Sequence, residues 1–179
     1  FTEIDKTLTF KDKVVIAQND LLQLPDSKML SNKSTIELLL RLQSKNISLK
    51  SIAIFYNGIK TGNNEKFLSE NPLTSKHRKV IRGRDIDRYH LDFGGIWVLF
   101  EPELLWSNTN QEMFEVQQKI IVRQTGDTLI GALDESQFYT MDTTHLIITK
   151  SVNTHYLLTL INSTLLNWYH RQIVPEEGK

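Results

Sequence analysis

Three polar side chains follow an alternating apolar run late in the chain and could hydrogen-bond to base edges and phosphates. Residues 120–125 alternate with the period of two that is typical of a β-strand, and the run ends on Arg123, Gln124 and Thr125. Gly126-Asp127 signals a turn, and residues 128–133 are predicted to form the returning strand. A guanidinium, an amide and a hydroxyl supply the donors and acceptors of nucleic-acid recognition. An exposed hairpin end with solvated side chains is the alternative interpretation.

A glycine-punctuated loop at residues 58–64 could approach a phosphate closely. Its two glycines remove the obstruction of a Cβ atom, and its polar side chains are Lys60, Thr61, Asn63 and Asn64. The loop lacks the G-K-[ST] sequence of a Walker loop and does not match a dinucleotide fingerprint. A plain surface turn is the alternative interpretation.

Positive charge is concentrated between residues 76 and 90. The whole chain has 21 basic and 21 acidic side chains and a formal net charge of zero. This segment carries six cations and two anions, so its net charge is +4 and that of the remainder is −4. The cations are Lys76, Arg78, Lys79, Arg82, Arg84 and Arg88. A local basic patch on a neutral body can bind phosphate in a salt-dependent way. Simple solvation of a charged surface is the alternative.

The elements that must position these groups follow from periodicity and capping signals. Ser34 and Glu37 form a capping box before a helix whose apolar face carries Ile36 and Leu39. Strands are predicted at residues 49–56 and 96–100, a short helix at 112–118, and a three-stranded meander at 119–149. Short strands are also expected at residues 7–10 and 14–16, with a turn at Pro25-Asp26.

A helical segment is predicted at the C-terminal end. Asn153 can cap a helix whose apolar stripe is Leu157, Ile161, Leu165 and Trp168. Asn162-Ser163 is expected to split it, with Ser163 capping the second half. The predicted fold is therefore α+β, with a twisted, mainly antiparallel β core, an N-terminal helix and a C-terminal helical arm. Residues 1–150 are predicted to form a recognition domain, and residues 151–179 a helical segment that packs on it or on a neighbouring domain.

Composition and motif searches give no catalytic residue. Hydrophobic residues make up 40% of the chain and charged residues 23%, as in globular proteins, and no apolar run is long enough to span a bilayer. The absence of cysteine removes disulfides and thiolate chemistry and fits a cytoplasmic protein. Asn71-Pro72-Leu73 only begins like the N-P-P-[YF] motif of adenine methyltransferases. A metal-dependent nuclease site built on Asp26 and Glu177-Gly178-Lys179 has only accidental-looking support.

Four segments in order resemble the TaqI-like C-terminal specificity domain. They are GIKTGNNEKF at 58–67, RKVIRGRDIDRY at 78–89, KIIVRQTGDTLIGALDESQFYTMDTTHLI at 119–147 and LLTLINSTLLNWY at 157–169. The last one also resembles the helices of type I restriction specificity subunits. The resemblance extends, with gaps, from about residue 49 to residue 169.

The resemblance implies a non-catalytic module that reads a short sequence in double-stranded DNA. It would serve an adenine-N6 methyltransferase domain located N-terminally on the same parent chain, the first and last residues here being those of an excised piece. S-adenosylmethionine would belong to that catalytic domain, and the module itself would hold no cofactor. The parent could be a fused type II restriction-modification enzyme. A protein-interaction module that docks a partner through the Leu157–Trp168 stripe, and a metal-dependent nuclease, are the alternative functions.

The resemblance also selects candidate DNA contacts. Sequence or backbone contacts are expected from Arg82, Arg84, Arg123 and Gln124, and phosphate contacts from Lys60, Asn63 and Asn64. Further candidates are Thr61, Arg78, Lys79, Arg88 and Thr125. Asp85 is expected to pair with an arginine and orient it, and His145 to be a structural hydrogen-bonding residue. Among possible stacking aromatics (Trp97, Trp106, Trp168 and Tyr169), core packing is favoured for Trp97 and Trp168.

Overall fold

The computed structural model describes residues 17–22, 33–126 and 128–174, and the chain divides into two compact units, Phe1–Asn46 and Ile47–Lys179. The early strands, the Pro25-Asp26 turn, Asp127 and the Glu177-Gly178-Lys179 motif lie outside the described residues.

In the first unit, α1 spans Gln18–Leu22 and α2 spans Lys33–Lys45. The second helix confirms the predicted one, since Ile36 and Leu39 on its apolar face are buried. It begins one residue before the expected cap, so Ser34 lies within its first turn. It ends before Asn46, as the sequence predicts.

The second unit contains ten strands within its described residues. They are β1 (Ala53–Asn57), β2 (Leu68–Ser69), β3 (His77–Ile81), β4 (Ile86–Asp87), β5 (His90–Leu91), β6 (Trp97–Leu99), β7 (Lys119–Arg123), β8 (Gly131–Asp134), β9 (Tyr139–Thr140) and β10 (Thr144–Thr149). The helices of this unit are α3 (Leu49–Ile52), α4 (Asn64–Phe67), α5 (Gln111–Phe114), α6 (Thr154–Ile161) and α7 (Thr164–Ile173). Two 3₁₀ turns lie at Gly83–Asp85 and Pro102–Leu104.

The first sheet has the order β1-β10-β7-β8, and all of its strand pairs are antiparallel. Its central strand β7 is buried on both faces, which explains the unbroken apolar run in its sequence. Ile121 faces a large core shared with the second sheet, whereas Ile120 and Val122 face a smaller core beneath α6. The second sheet has the order β2-β6-β3-β9, and β4 pairs with β5 in a separate hairpin. In this sheet, β3 and β9 run parallel.

The predicted meander is wrong in its connectivity. β8 and β10 lie on opposite sides of β7, and β9 leaves this sheet to pair with β3. The returning strand begins only at Gly131, and side chains of the C-terminal helices bind the backbone at and just before this residue. The Asn167 Oδ1 atom accepts from the Leu129 amide at 2.7 Å, and Asn162 bonds both the N–H and the C=O of Gly131 at 3.0 and 2.8 Å.

Two other boundaries differ from the prediction. The segment expected as a strand from residue 49 starts with the helical turn α3, and the strand begins at Ala53. The short helix α5 ends at Phe114, four residues earlier than expected, and Asn110 caps it. Phe114 packs against Tyr139 with ring centroids 4.8 Å apart, so the turn of helix supplies a core aromatic.

A fully buried ion pair fixes the register of β7 against β8. Lys119 and Asp134 are register partners, and the Nζ atom lies 2.5 Å from a carboxylate oxygen. Lys119 also donates to the Phe114 carbonyl, and Asp134 accepts from the backbone amides of Ser136 and Phe138. Burial lowers the pKa of Lys119, and the adjacent Asp134 carboxylate opposes that change.

The C-terminal helices confirm the predicted caps. Asn153 accepts from the Tyr156 amide at the start of α6, and Ser163 accepts from the Leu166 amide at the start of α7. Leu157 and Ile161 are buried against the first sheet, but Leu165 is 48% exposed because the break at Asn162-Ser163 turns the stripe outward. The α+β class is confirmed: along the chain, helices precede and follow a set of mainly antiparallel strands. No helix in the described ranges is long and apolar enough to cross a membrane.

Candidate nucleic-acid interface

Three of the predicted recognition segments meet at the turn Met141–Thr144, which we call the hub turn. The glycine loop joins it through a bridge between Ile59 and Met141 and a bond from the Asp142 amide to the Ile59 carbonyl. The basic segment joins it where the Gly83 amide donates to Thr143 Oγ1 at 2.9 Å. The polar residues 123–125 at the end of β7, which we call the polar tip, join it where the Gln124 amide donates to the Thr143 carbonyl at 3.0 Å. The glycine loop, the basic segment and the polar tip, which lie far apart in the sequence, therefore meet in one region of the structure.

Within the basic segment, Asp85 pairs with Arg82, as expected for this aspartate. Asp85 Oδ2 accepts from Arg82 Nε at 2.8 Å and from the Arg82 backbone N–H at 2.8 Å, and Oδ1 accepts from Nη2 at 2.9 Å. Gly94 covers the pair, since a Cβ atom there would lie 2.4 Å from Arg82 Nη2. Only 18% of the Arg82 side chain is exposed. The pair consequently stabilises the turn and neutralises one of the six cations.

Arg123 binds the backbone of the same turn from the other side, and we call residues 82–86 the braced turn. Its Nε atom donates to the Gly83 carbonyl at 2.9 Å and its Nη2 atom to the Ile86 carbonyl at 2.5 Å. The nearest carboxylate, Asp87, is 4.0 Å away and largely exposed. The guanidinium is thus directed at the backbone of residues 83–86, with 27% of the side chain still exposed. Direct base contact by Arg82 or Arg123 stays a prediction, and both have a structural role in the turn.

Several polar side chains on and around this turn are exposed to solvent. Arg84 lies at the centre of the braced turn, and Arg88 lies at the tip of the β4–β5 hairpin. Gln124 and Thr125, which follow β7, are also exposed. Tyr89 beside Arg88 is 55% exposed and adopts a left-handed φ of 64°, a conformation that a tyrosine rarely takes. These side chains form the outward part of the predicted interface.

Local hydrogen bonds organise the glycine loop. Thr61 is only 2% exposed, and its hydroxyl donates to Asn64 Oδ1 at 2.6 Å. Asn63 caps α4 by accepting from the Lys66 amide at 3.1 Å. These bonds give Thr61, Asn63 and Asn64 structural roles in the loop, and burial argues against Thr61 as a DNA contact. Lys60 is exposed, and its Nζ atom lies 5.6 Å from the ring centroid of Trp106.

Arg78 and Lys79 lie towards the start of β3, whereas Ile81 at the end of that strand contacts the hub turn. Arg78 is 6.0 Å from the Tyr139 ring centroid and donates to the carbonyls of Ser75 and His77. Lys79 is 5.3 Å from the centroid of Phe93 and 5.7 Å from that of Trp97. The hub turn therefore does not gather these two cations.

Titratable groups near the sheet have structural explanations. His145 Nδ1 lies 2.7 Å from Asn57 Oδ1 across the β1–β10 pair, which agrees with the expected structural role. Burial lowers the pKa of His145. Burial and the nearby Glu115 carboxylate raise the pKa of Tyr139, whose hydroxyl donates to that carboxylate at 2.7 Å. Within residues 17–22, 33–126 and 128–174, no cluster of three or more His, Asp or Glu side chains could hold a metal ion.

A small cleft beside the hub turn was not predicted. It is lined by Lys60, Thr61, Gly62, Asn64, Trp106 and Asp142. Trp106 is 71% exposed, and its place beside the loop depends on backbone pairing of Lys60 with Ser107. That pairing joins segments more than 40 residues apart, so no local pattern in the sequence predicts that Trp106 lies beside the glycine loop.

The profile of the TaqI-like C-terminal specificity domain matches residues 78–179, which is more than half of the chain. The chain belongs to the TaqI-like C-terminal specificity domain family. The family comprises DNA-recognition modules of restriction-modification enzymes. The matched residues include the braced turn, the polar tip, the hub turn and both C-terminal helices, and the glycine loop precedes them.

Among solved structures, 26 chains match. One of them comes from a structure of the type IIL restriction-modification enzyme MmeI in complex with DNA, with 12% sequence identity and a TM-score of 0.45. The similarity covers 69% of this chain and 22% of the MmeI chain, so this protein corresponds to a minor part of that enzyme's length. Such a likeness carries no argument about function. No curated protein matches the chain.

Proposed function

We propose that this module reads a short sequence in duplex DNA and presents it to an adenine-N6 methyltransferase domain on the same parent chain. Exposed cations and amides on three loops around one turn support this function. Arg84, Arg88, Gln124 and Thr125 would face the grooves and phosphates, and Lys60 would bind phosphate. The catalytic domain would bind S-adenosylmethionine, flip the adenine and transfer the methyl group. The parent protein, acting on DNA in the cytoplasm, could also carry a nuclease activity.

The braced turn is the observation on which the proposal depends most. Arg82 and Arg123 bind the turn's own carboxylate and carbonyls, and this holds the intervening Arg84 outward. A fixed backbone beneath the side chain lowers the conformational entropy that Arg84 loses on binding, compared with an arginine on a mobile loop. With arginine's planar donor geometry, such a side chain suits guanine or phosphate contact.

The proposal is tested by measuring DNA affinity across a salt series with target and non-target duplexes. Lys60→Ala should weaken binding to all duplexes alike and reduce the salt slope by about 1, since a phosphate contact carries no sequence information. Lys66→Ala is a matched control, because this lysine is exposed and lies 5.0 Å from the Phe67 ring, away from the cleft lining.

Absence of salt-dependent DNA binding would refute the recognition function. Binding of a protein partner that survives high salt without DNA would favour the interaction module instead. Leu165, which is 48% exposed on α7, is the part of the apolar stripe that remains accessible for such a partner.

A further inference from the structure

The cleft beside the hub turn has a size and lining that suit one nucleobase. Its volume is about 230 Å³. Pockets that hold drug-sized ligands occupy roughly 300–1,000 Å³, so this cleft fits a single planar ring system better than a larger molecule. Its lining combines one large aromatic ring with a cation, an anion and two uncharged polar side chains.

Trp106 is fixed in place without being buried. Its amide donates to the Lys60 carbonyl at 2.9 Å, and the Lys60 amide donates to the Ser107 carbonyl at 3.3 Å. Gly62, at a left-handed φ of 78°, packs against the indole so closely that a Cβ atom would lie 2.3 Å from Trp106 Nε1. The ring is therefore held on backbone while 71% of the residue stays exposed. A rigid exposed indole provides a stacking surface at low entropic cost.

The charged groups of the cleft are arranged for a nucleotide. Lys60 Nζ lies over the indole ring, 5.6 Å from its centroid, so a base that stacks on this face displaces the ammonium and leaves it available to a phosphate. Asp142 is exposed and lines the same cleft. A carboxylate repels phosphate but accepts a hydrogen bond from the exocyclic amino group of a base, as in contacts to cytosine N4. The lining thus offers a ring for stacking, a cation for the backbone and an acceptor for an amino group.

We propose that this cleft receives one unstacked nucleobase of the bound DNA, with the ring on Trp106, the amino group towards Asp142 and the phosphate at Lys60. The inference rests on the proposed function, because the DNA must first reach the hub-turn surface. Adenine, cytosine and guanine can donate to Asp142 from their exocyclic amino groups, whereas thymine has no amino group and can donate only from its N3–H.

The test uses the full-length protein and three duplexes that differ at one position, which is not that of the methylated adenine. The position holds a paired base, an unpaired adenine opposite an abasic site, or an unpaired thymine opposite an abasic site. Wild-type protein should bind the unpaired adenine most tightly, and indole fluorescence should fall on binding. Trp106→Ala should lower affinity for the unpaired-adenine duplex by about 5- to 150-fold, which is the range for loss of one base–aromatic stack. Asp142→Ala should reduce the preference for adenine over thymine.

Two variants separate this effect from general damage. Trp106→Phe retains an aromatic face, so it should restore most of the affinity and lose the fluorescence signal. Leu104→Ala removes a nearby apolar side chain that is 50% exposed, and it should bind all three duplexes like the wild type.

Unchanged affinity of Trp106→Ala for the unpaired duplex would overturn the inference while leaving DNA recognition intact. Equal losses on paired and unpaired duplexes would also overturn it, because they would assign the indole to general DNA contact. Failure of the wild-type protein to bind any duplex would refute the recognition function itself, and the cleft proposal with it.

Discussion

Arg82 and Asp85 form a bidentate ion pair in which the guanidinium donates through Nε and Nη2 at 2.8 and 2.9 Å. The pair closes a turn of four residues and lies against Gly94. This pairing uses two of the five N–H donors of the guanidinium, and only 18% of the side chain is exposed, which limits the access of DNA to the others. The charge that the basic segment presents to solvent beside this pair comes from Arg84 and Arg88, both of which are exposed.

Arg84→Ala should therefore affect DNA binding, whereas Arg82→Ala should affect stability. Loss of Arg84 should weaken DNA binding, with a salt slope lower by about 1 if it contacts phosphate, and leave folding unchanged. Loss of Arg82 should lower the free energy of unfolding by about 1.5–3 kcal/mol, because the Asp85 carboxylate loses charged hydrogen bonds. Urea denaturation and DNA titration of both variants measure the contrast. A folding defect in Arg84→Ala, or a stable Arg82→Ala, would contradict it.

Arg123→Ala should lower both stability and sequence discrimination. Two carbonyls, at Gly83 and Ile86, lose a charged donor, for which a loss of about 1.5–3 kcal/mol in unfolding free energy is expected. Discrimination between target and non-target duplexes should fall by roughly 1–3 kcal/mol, either through a lost base contact or through a displaced Arg84. Competition titrations with both duplexes give this difference, and equal losses on the two would exclude a part in sequence readout.

Breaking the buried ion pair should destabilise the core more than any change at the surface. Lys119→Met leaves the Asp134 carboxylate unpaired in a site where both side chains are 0% exposed. The expected loss is about 3–5 kcal/mol of unfolding free energy, measured by urea denaturation. The double variant Lys119→Met/Asp134→Asn should recover much of it, since neither charge then remains buried and the asparagine oxygen can still accept from the backbone amide of Ser136 or Phe138. If the single and double variants were equally unstable, the unpaired charge would not be the cause.

Stability should decrease as the pH falls below 6.5. Burial lowers the pKa of His145 and of His170 from 6.5 in the folded state, so the unfolded chain binds more protons over the interval just below that value. The contribution of these neutral histidines to the free energy of unfolding is complete above pH 6.5. It is lost as the pH falls, because the histidines are protonated in the unfolded chain before they are protonated in the folded protein. His145→Gln should flatten the dependence of unfolding free energy on pH in this interval. His155→Gln, at an exposed position on α6, serves as the control, and an identical flattening there would rule out burial as the origin.

Local signals in the sequence predicted much of the fold. The caps at Asn153 and Ser163 depend only on the next three residues, and both are confirmed. The period-two pattern at residues 120–125 was sufficient to predict the strand β7, but not its two neighbours in the sheet, because pairing is decided by distant segments. The break at Asn162-Ser163 was also predicted, but the exposure of Leu165 beyond it was not, since Leu165 was placed on the same apolar stripe as Leu157 and Ile161.

The candidate site was harder to predict, because residue type does not show which polar groups are already bonded. Asn63 and Thr61 lie in a loop that suits phosphate contact, yet their side chains bond within that loop. The immobilisation of Arg82 depends on Gly94, twelve residues later in the sequence. The prominence of Trp106 depends on pairing with residue 60. Each of these outcomes depends on three-dimensional neighbours.

Because of the hub turn, some positions of the module should tolerate replacement much better than others. Its backbone and the Thr143 hydroxyl bond to residues 59, 83 and 124, so a substitution or deletion there would disturb three loops together. The outward side chains at positions 84, 88, 124 and 125 are not part of these bonds, so they can be exchanged while the backbone contacts to the hub turn persist. New target preferences could thus evolve by single replacements at the loop tips, whereas replacements within Met141–Thr144 are expected to disturb the arrangement of all three loops.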